Sequence, residues 1–155
     1  MVNQMIGDGL MAIFGAPQLL DPAPLAAVRA ALNMIELFNV ERAGLDKEPI
    51  RIGIGIATGE VVAGHAGTQQ RARYTCIGNT ANRATRLQAH TRPTQRGILI
   101  DGATQRALGD SLPLQPRGDV LFKAMAEAVP VSAVKAQAQG CARLPHRDCG
   151  QRCAM

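Results

Sequence analysis

Ile50, Ile52, Ile54 and Ile56 alternate with Arg51, Gly53, Gly55 and Ala57, and this alternation constrains the fold more than any other feature of the chain. Side chains in a strand repeat every two residues, so one face of this segment is branched and apolar while the other is nearly bare. The branched face belongs in a core. The bare face admits a close neighbour, either a helix or a ligand, because glycine leaves room for another backbone.

Around that strand the remaining elements can be read from period and punctuation. Gly7-Asp8-Gly9 separates Met5-Ile6 from Leu10 to Phe14, and Asp-Gly between apolar runs predicts a hairpin turn. Asp21-Pro22 reads as a helix cap with proline at the first helical position. Leu25, Val28, Leu32, Ile35 and Phe38 then recur at helical spacing until Gly44. Glycines 59, 64 and 67 mark a turn, a short strand Glu60 to Ala63, and a polar, basic connection running to Arg73. A short apolar strand ending at Ile77 and a glycine precede a helix containing Asn82 and Arg86. Strand Gly97 to Asp101, a helical turn Thr104 to Leu108, and the apolar segments 120–122 and 129–134 complete the pattern. No internal repeat is present, and periodicity ends after Ala138. The expected architecture is α+β, with helices on a mostly antiparallel sheet of the ferredoxin-like βαββαβ type.

Composition excludes several classes. With 155 residues and 46% hydrophobic content, one compact domain with a sizeable core is expected. No apolar run approaches the roughly 20 residues that cross a bilayer, and no secretory signal pattern opens the chain, so it reads as cytoplasmic without a membrane segment. The net charge of +5 raises the question of nucleic acid. Aromatic content of 3%, with one Tyr and no Trp, leaves almost no stacking platform for single strands, so no nucleic-acid role is expected. Cys76 reads as a small buried hydrophobe. Cys141, His146, Cys149 and Cys153 hold four potential zinc donors, but their C-x4-H-x2-C-x3-C spacing matches no zinc module, and residues 138–155 read as a disordered tail behind a domain of residues 1–137.

Asn82 and Arg86 stand four residues apart, which places them on one helix face. An amide able to orient a ribose and a guanidinium able to grip a phosphate would then point at one place, as phosphoryl transfer without a covalent nucleophile requires. Taken alone, the same pair also describes a solvated helix face.

Three motifs in order resemble the catalytic domain of class III nucleotidyl cyclases, the adenylate and guanylate cyclases: Ile6-Gly-Asp-Gly-Leu-Met-Ala-Ile-Phe-Gly15, Ile52-Gly-Ile-Gly-Ile-Ala-Thr-Gly-Glu-Val-Val-Ala-Gly64, and Tyr74 through Arg86. The likeness covers roughly residues 2 to 134, and three motifs in register are far more specific than one. It implies conversion of ATP, with GTP second, to a 3′,5′-cyclic nucleotide and pyrophosphate using two Mg²⁺ or Mn²⁺ ions. By the same resemblance Asp8 is a metal ligand, Asn82 orients the ribose, and Arg86 stabilises charge on the transferring phosphate. Lys123 meets the terminal phosphates, although Ala124 replaces the glycine usual after it. Gln4 and Thr75 align with the positions that read the purine. Thr75 is similar to the threonine of many bacterial adenylate cyclases, and its hydroxyl can accept from the adenine amino group, whereas Gln4 both donates and accepts. Cys76 lies one position away from the cysteine of guanylate cyclases.

The chain also departs from that pattern. A second metal aspartate belongs to the family's first strand, and no F-x-D-I-x-G-F motif occurs here. The expectation is a cyclase domain without its first strand and first helices, an N-terminally truncated fragment inactive alone. Because that strand is central in the 4-1-3-2 order, its neighbours would lack a hydrogen-bonding partner. The family's site lies at a dimer interface, which implies a homodimer or a cyclase partner chain. A non-catalytic dimerising or nucleotide-binding module that complements a complete chain is the alternative.

Overall fold

The computed structural model describes residues 2–45, 47–48, 51–68, 71–123 and 125–135. Eleven elements follow in chain order: β1 (Val2–Ile6), β2 (Gly9–Ala12), α1 (Ala23–Ala43), β3 (Ile54–Ile56), β4 (Val62–Thr68), β5 (Arg71–Ile77), α2 (Asn79–Thr94), β6 (Ile98–Asp101), α3 (Gly102–Leu108), β7 (Leu114–Val120) and β8 (Val129–Val134). The fold is α+β as expected. A four-stranded sheet runs β3-β6-β8-β7, and the hairpins β1-β2 and β4-β5 form two further ladders. In the larger sheet β3 and β6 are parallel, whereas β6-β8 and β7-β8 are antiparallel.

Alternation along β6 and β8 builds the core on both faces of this sheet. Ile98, Ile100 and Val134 pack with Val28 and Ala31 of α1 and Leu108 of α3, and the isoleucines 54 and 56 of β3 join the same cluster. Leu99, Val129, Val131 and Ala133 face the other way, against Leu87 of α2 and Phe122. Leu87, Leu99 and Ile100 are fully buried. Each such side chain contributes about 1.5–3 kcal/mol relative to exposure.

The bare face of β3 takes a helix. A Cβ on Gly55 would overlap the Ala84 carbonyl oxygen and the Gln88 amide nitrogen and lie 2.9 Å from Leu87 Cβ. One on Gly53 would overlap Thr91 Oγ1. Helix α2 therefore rests directly on the glycines. Only Gly allows two backbones this close, which answers the choice between helix and ligand that the alternation left open.

Several boundaries differ from the sequence reading, each for a physical reason. The turn of the first hairpin is Gly7-Asp8 rather than Asp8-Gly9, since Ile6 pairs with Gly9 and Gly7 takes φ 61°. Glycine supplies the positive φ that a two-residue hairpin loop demands at its first position. Helix α1 begins at Ala23 with Pro22, not Asp21, at the cap position. Phe38, expected in the core, is 44% exposed near the end of α1, beside the exposed Leu37 and Val40. The basic connection to Arg73 is mostly ladder: β4 and β5 pair continuously from Val62↔Ile77 to Thr68↔Arg71. Backbone pairing tolerates polar residues, so polarity alone misread this hairpin as a loop. Strand β7 occupies 114–120, not 120–122. It is an edge strand, which accommodates Pro116, and it shifts register at a bulge before Gly118.

The four-stranded sheet ends at β3, and β1-β2 forms no ladder with it among the described residues. The cysteine tail, with Cys141, His146, Cys149 and Cys153, lies outside the described residues, as does Ala124.

Candidate functional site

Strand β5 passes through Gly78 directly into α2, so the segment from Thr75 to Arg86 forms one continuous strand-turn-helix unit. Asn82 and Arg86 lie on the exposed face of α2, and Leu87 and Thr91 lie on its buried face. Neither Asn82 nor Arg86 takes a side-chain hydrogen bond or ion pair with another described residue. The helix thus presents an amide and a guanidinium, one turn apart and uncommitted, to solvent. Such a pair can donate to an anionic, hydroxyl-bearing ligand without first breaking an internal contact.

Two anchors hold the start of this helix. Thr80 Oγ1 donates to the Glu60 carbonyl at 2.9 Å, and a Cβ on Gly59 would fall 2.7 Å from the same hydroxyl. The turn after β3 and the first turn of α2 are therefore in direct contact. The second anchor is Arg83, whose Nη1 donates to Asp101 Oδ2 at 2.8 Å.

Asp101 is fully buried at the end of β6, where it also caps α3. Its Oδ1 accepts from the Thr104 amide at 2.8 Å, the Thr104 hydroxyl at 2.7 Å and the Thr58 amide at 3.3 Å. Thr104 spends its one proton on Asp101, so in the 2.8 Å contact between the two threonine hydroxyls Thr58 is the donor. A buried carboxylate with four donors is well satisfied, and through it α2, α3, β6 and the turn after β3 meet at one point.

The other candidate residues occupy neighbouring elements. Gln4 lies in β1 opposite Met11, and Thr75 lies in β5 opposite Gly64. Strands β1 and β5 are in contact, which brings the two positions expected to read the purine onto neighbouring strands. Thr75 is half-buried. Lys123 is exposed, but Phe122 before it is buried with Leu87 and makes an edge-on ring contact with His90 of α2 at 5.5 Å. The lysine is therefore tethered on the α2 side of the sheet. Asp8 is exposed at the tip of the β1-β2 hairpin. It makes no hydrogen bond or ion pair with Asn82, Arg86, Thr75 or Lys123.

A pair of divalent cations needs several oxygen ligands. Among the described residues no group of three or more His, Cys, Asp or Glu side chains is gathered. Asp8 alone does not make such a site, so the described residues do not hold a cation pair unaided. A cleft beside α3, lined by Gln105, Arg106, Asp110, Leu112 and Pro130, contains none of the candidate residues.

Arg83, Asp101, Thr58 and Thr104 escaped the sequence reading. Asp101 followed three residues later by Thr104 carries a cap signal, but its partners Arg83 and Thr58 are 18 and 43 residues away, and no local pattern joins them.

The family model described as "Adenylate and Guanylate cyclase catalytic domain" matches residues 3–134. An uncharacterized protein of Mycobacterium tuberculosis is 39% identical over 111 residues, covering 72% of this chain and 20% of that protein. The chain thus spans about a fifth of the length of the curated relatives it matches. Among solved structures, a guanylyl cyclase is similar at a TM-score of 0.76 and 31% identity, with 86% of this chain and 68% of that chain covered. The adenylyl cyclase CyaB from P. aeruginosa is similar at 0.76 and 27% identity, covering 86% and 70%.

Proposed function

The chain belongs to the adenylate and guanylate cyclase catalytic domain family, and from that premise we propose that it serves a nucleotidyl cyclase acting on ATP in cyclic nucleotide signalling. In the reaction the ribose 3′-oxygen bonds to the α-phosphorus as the bond from that phosphorus to the pyrophosphate oxygen breaks, and the 3′-hydroxyl proton passes to solvent or base. The observation that carries this reading is the uncommitted Asn82/Arg86 pair on the exposed face of α2, inside a unit that the family match covers. Asn82 orients the ribose. Arg86 meets the negative charge that builds on the transferring phosphate, where preorganised donors are worth most. Lys123, held through Phe122, meets the terminal phosphates.

Thr75 and Gln4 read the base from adjacent strands. The half-buried Thr75 hydroxyl accepts from the adenine amino group, which favours ATP, and GTP is the second choice. Solved relatives of equal TM-score include a guanylyl and an adenylyl cyclase, so base preference rests on these two side chains and not on the fold. Asp8 is the carboxylate this chain offers to a Mg²⁺ or Mn²⁺ pair. The remaining ligands come from outside the described residues.

That shortage supports two further readings. The 155-residue chain alone turns over slowly or not at all, and it works in a homodimer or beside a partner cyclase chain that supplies metal ligands. As an alternative function it is a non-catalytic dimerising or nucleotide-binding half. Among the described residues no helix is long and apolar enough to cross a membrane, and a cytoplasmic location accords with a nucleotide substrate.

The test is cyclic nucleotide production with Mn²⁺ and ATP or GTP, by the 155-residue chain and by the same chain extended upstream. Turnover of ATP by the extended form alone supports the reading in full. Nucleotide binding without turnover in either form favours the non-catalytic half, and neither binding nor turnover refutes both.

A further inference from the structure

We propose that Arg83, through its ion pair with Asp101, is a positioning residue that sets the rotation of α2 about its own axis and hence the direction of Asn82 and Arg86. The proposal rests on the cyclase reading of those two residues. It starts from an asymmetry in how α2 is held. Gly53 and Gly55 determine how near the helix lies to β3, but bare glycines offer no side chain against which a helix can lock. Leu87 packs apolar surface on apolar surface, which resists separation more than rolling.

Two contacts are directional: Thr80 Oγ1 donates to the Glu60 carbonyl at the exposed start of the helix, and Arg83 Nη1 donates to the buried Asp101 Oδ2 between Asn82 and Arg86. Asp101 cannot follow a rolling helix, since it is fully buried and its other oxygen is committed to Thr104 and Thr58. Three elements therefore brace the carboxylate against which Arg83 pulls.

The helical lattice converts this into aim. At about 100° per residue, Asn82 and Arg86 both lie to the same side of Arg83, roughly 40° from each other. A roll about the axis therefore swings them together. For groups about 6 Å from the axis, a roll of about 10° displaces each by about 1 Å. A misplacement of that size can lower a rate about 100-fold.

Lysine is a suitable conservative replacement, because only one guanidinium nitrogen contacts the carboxylate. Arg83→Met, Arg83→Lys and Asp101→Asn are compared with the parent in whichever form of the chain turns over, well below each variant's melting temperature. Arg83→Met is expected to lower kcat at least about tenfold with KM within about threefold, and Arg83→Lys to return kcat to within about threefold of the parent. Asp101→Asn, which keeps the arginine charge but removes its brace, is expected to lower kcat like Arg83→Met. Unchanged kcat in Arg83→Met overturns the proposal. So does unchanged kcat in Asp101→Asn beside a fall in Arg83→Met, since the arginine would then act by its own charge.

Amide hydrogen exchange on the 155-residue chain supplies a readout independent of turnover. Residues 82–87 should exchange faster in Arg83→Met while residues 91–94 keep the parent rates, and identical exchange along α2 overturns the proposal. Absence of product from the parent in every form would refute the cyclase reading alone, with the exchange pattern still deciding whether Arg83 braces the helix.

Discussion

Replacing Gly55 by alanine should damage this protein through a single methyl group. The new Cβ would overlap Ala84 O and Gln88 N and approach Leu87 Cβ to 2.9 Å. Two of these three atoms are backbone within a hydrogen-bonded helix, so no rotamer change relieves the overlap. A Cβ ordinarily keeps at least about 3.4 Å from such neighbours, and α2 must therefore lift from β3 by roughly 1.2 Å. Overpacking of this kind costs about 1–3 kcal/mol, occasionally more, and here it also loosens Leu87, which is fully buried. Gly64→Ala is the control, because nothing lies within 4 Å of its Cβ position, and surface changes of that kind stay within about 0.5 kcal/mol. Urea unfolding of both variants beside the parent reads the difference as a shift in midpoint at constant slope. A midpoint for Gly55→Ala equal to that of Gly64→Ala would refute the claim that α2 rests on this glycine. In a form that turns over, the same lift should lower activity more than fold, since Asn82 and Arg86 ride on the displaced helix.

Other perturbations separate site from scaffold. Arg86→Ala should leave the melting temperature within about 2 °C of the parent, because the side chain has no partner among the described residues, while kcat falls about 100-fold or more, as for loss of a transition-state donor; cyclic nucleotide assays beside thermal melts check both. Asp8→Ala should abolish metal-dependent turnover of an extended chain with circular dichroism unchanged, and retained activity would remove Asp8 from the site. Asp101→Ala should lower stability as well as kcat, costing about 3 kcal/mol in chemical denaturation as the buried pair and the α3 cap are lost together. Phe122→Ala should cost about 3 kcal/mol and raise KM for the triphosphate by releasing Lys123, whereas an unchanged KM would detach Lys123 from the terminal phosphates.

The long elements and the site helix were legible in the residues because their signals are local. Val28 recurs at helical spacing with Leu25 and Leu32, and Asn82 and Arg86 declare a shared face wherever the helix sits. Misreadings arose where a distant partner decides. The β4-β5 hairpin looked like a solvated connection because its polar residues carry no apolar alternation, yet cross-strand hydrogen bonds hold them in ladder. Phe122 looked like the end of a strand, but it leaves the sheet to fill space beneath α2. Phe38 matches the period of its helix and is nevertheless exposed, because helical period assigns a residue to a face without deciding whether anything covers it.

The order of residues was sufficient to define an α+β chain with a glycine-faced strand, a hairpin presenting Asp8 and a helix presenting Asn82 and Arg86. These depend on backbone preference and side-chain period, which act over a few residues. Tertiary structure alone decided that a helix and not a ligand fills the glycine face, that Asp101 joins four segments, and that Arg83 is its partner. Such choices depend on which surfaces meet across 18 to 43 residues of chain, and a contact of that span is made by packing, where only the folded backbone brings the groups within hydrogen-bonding reach.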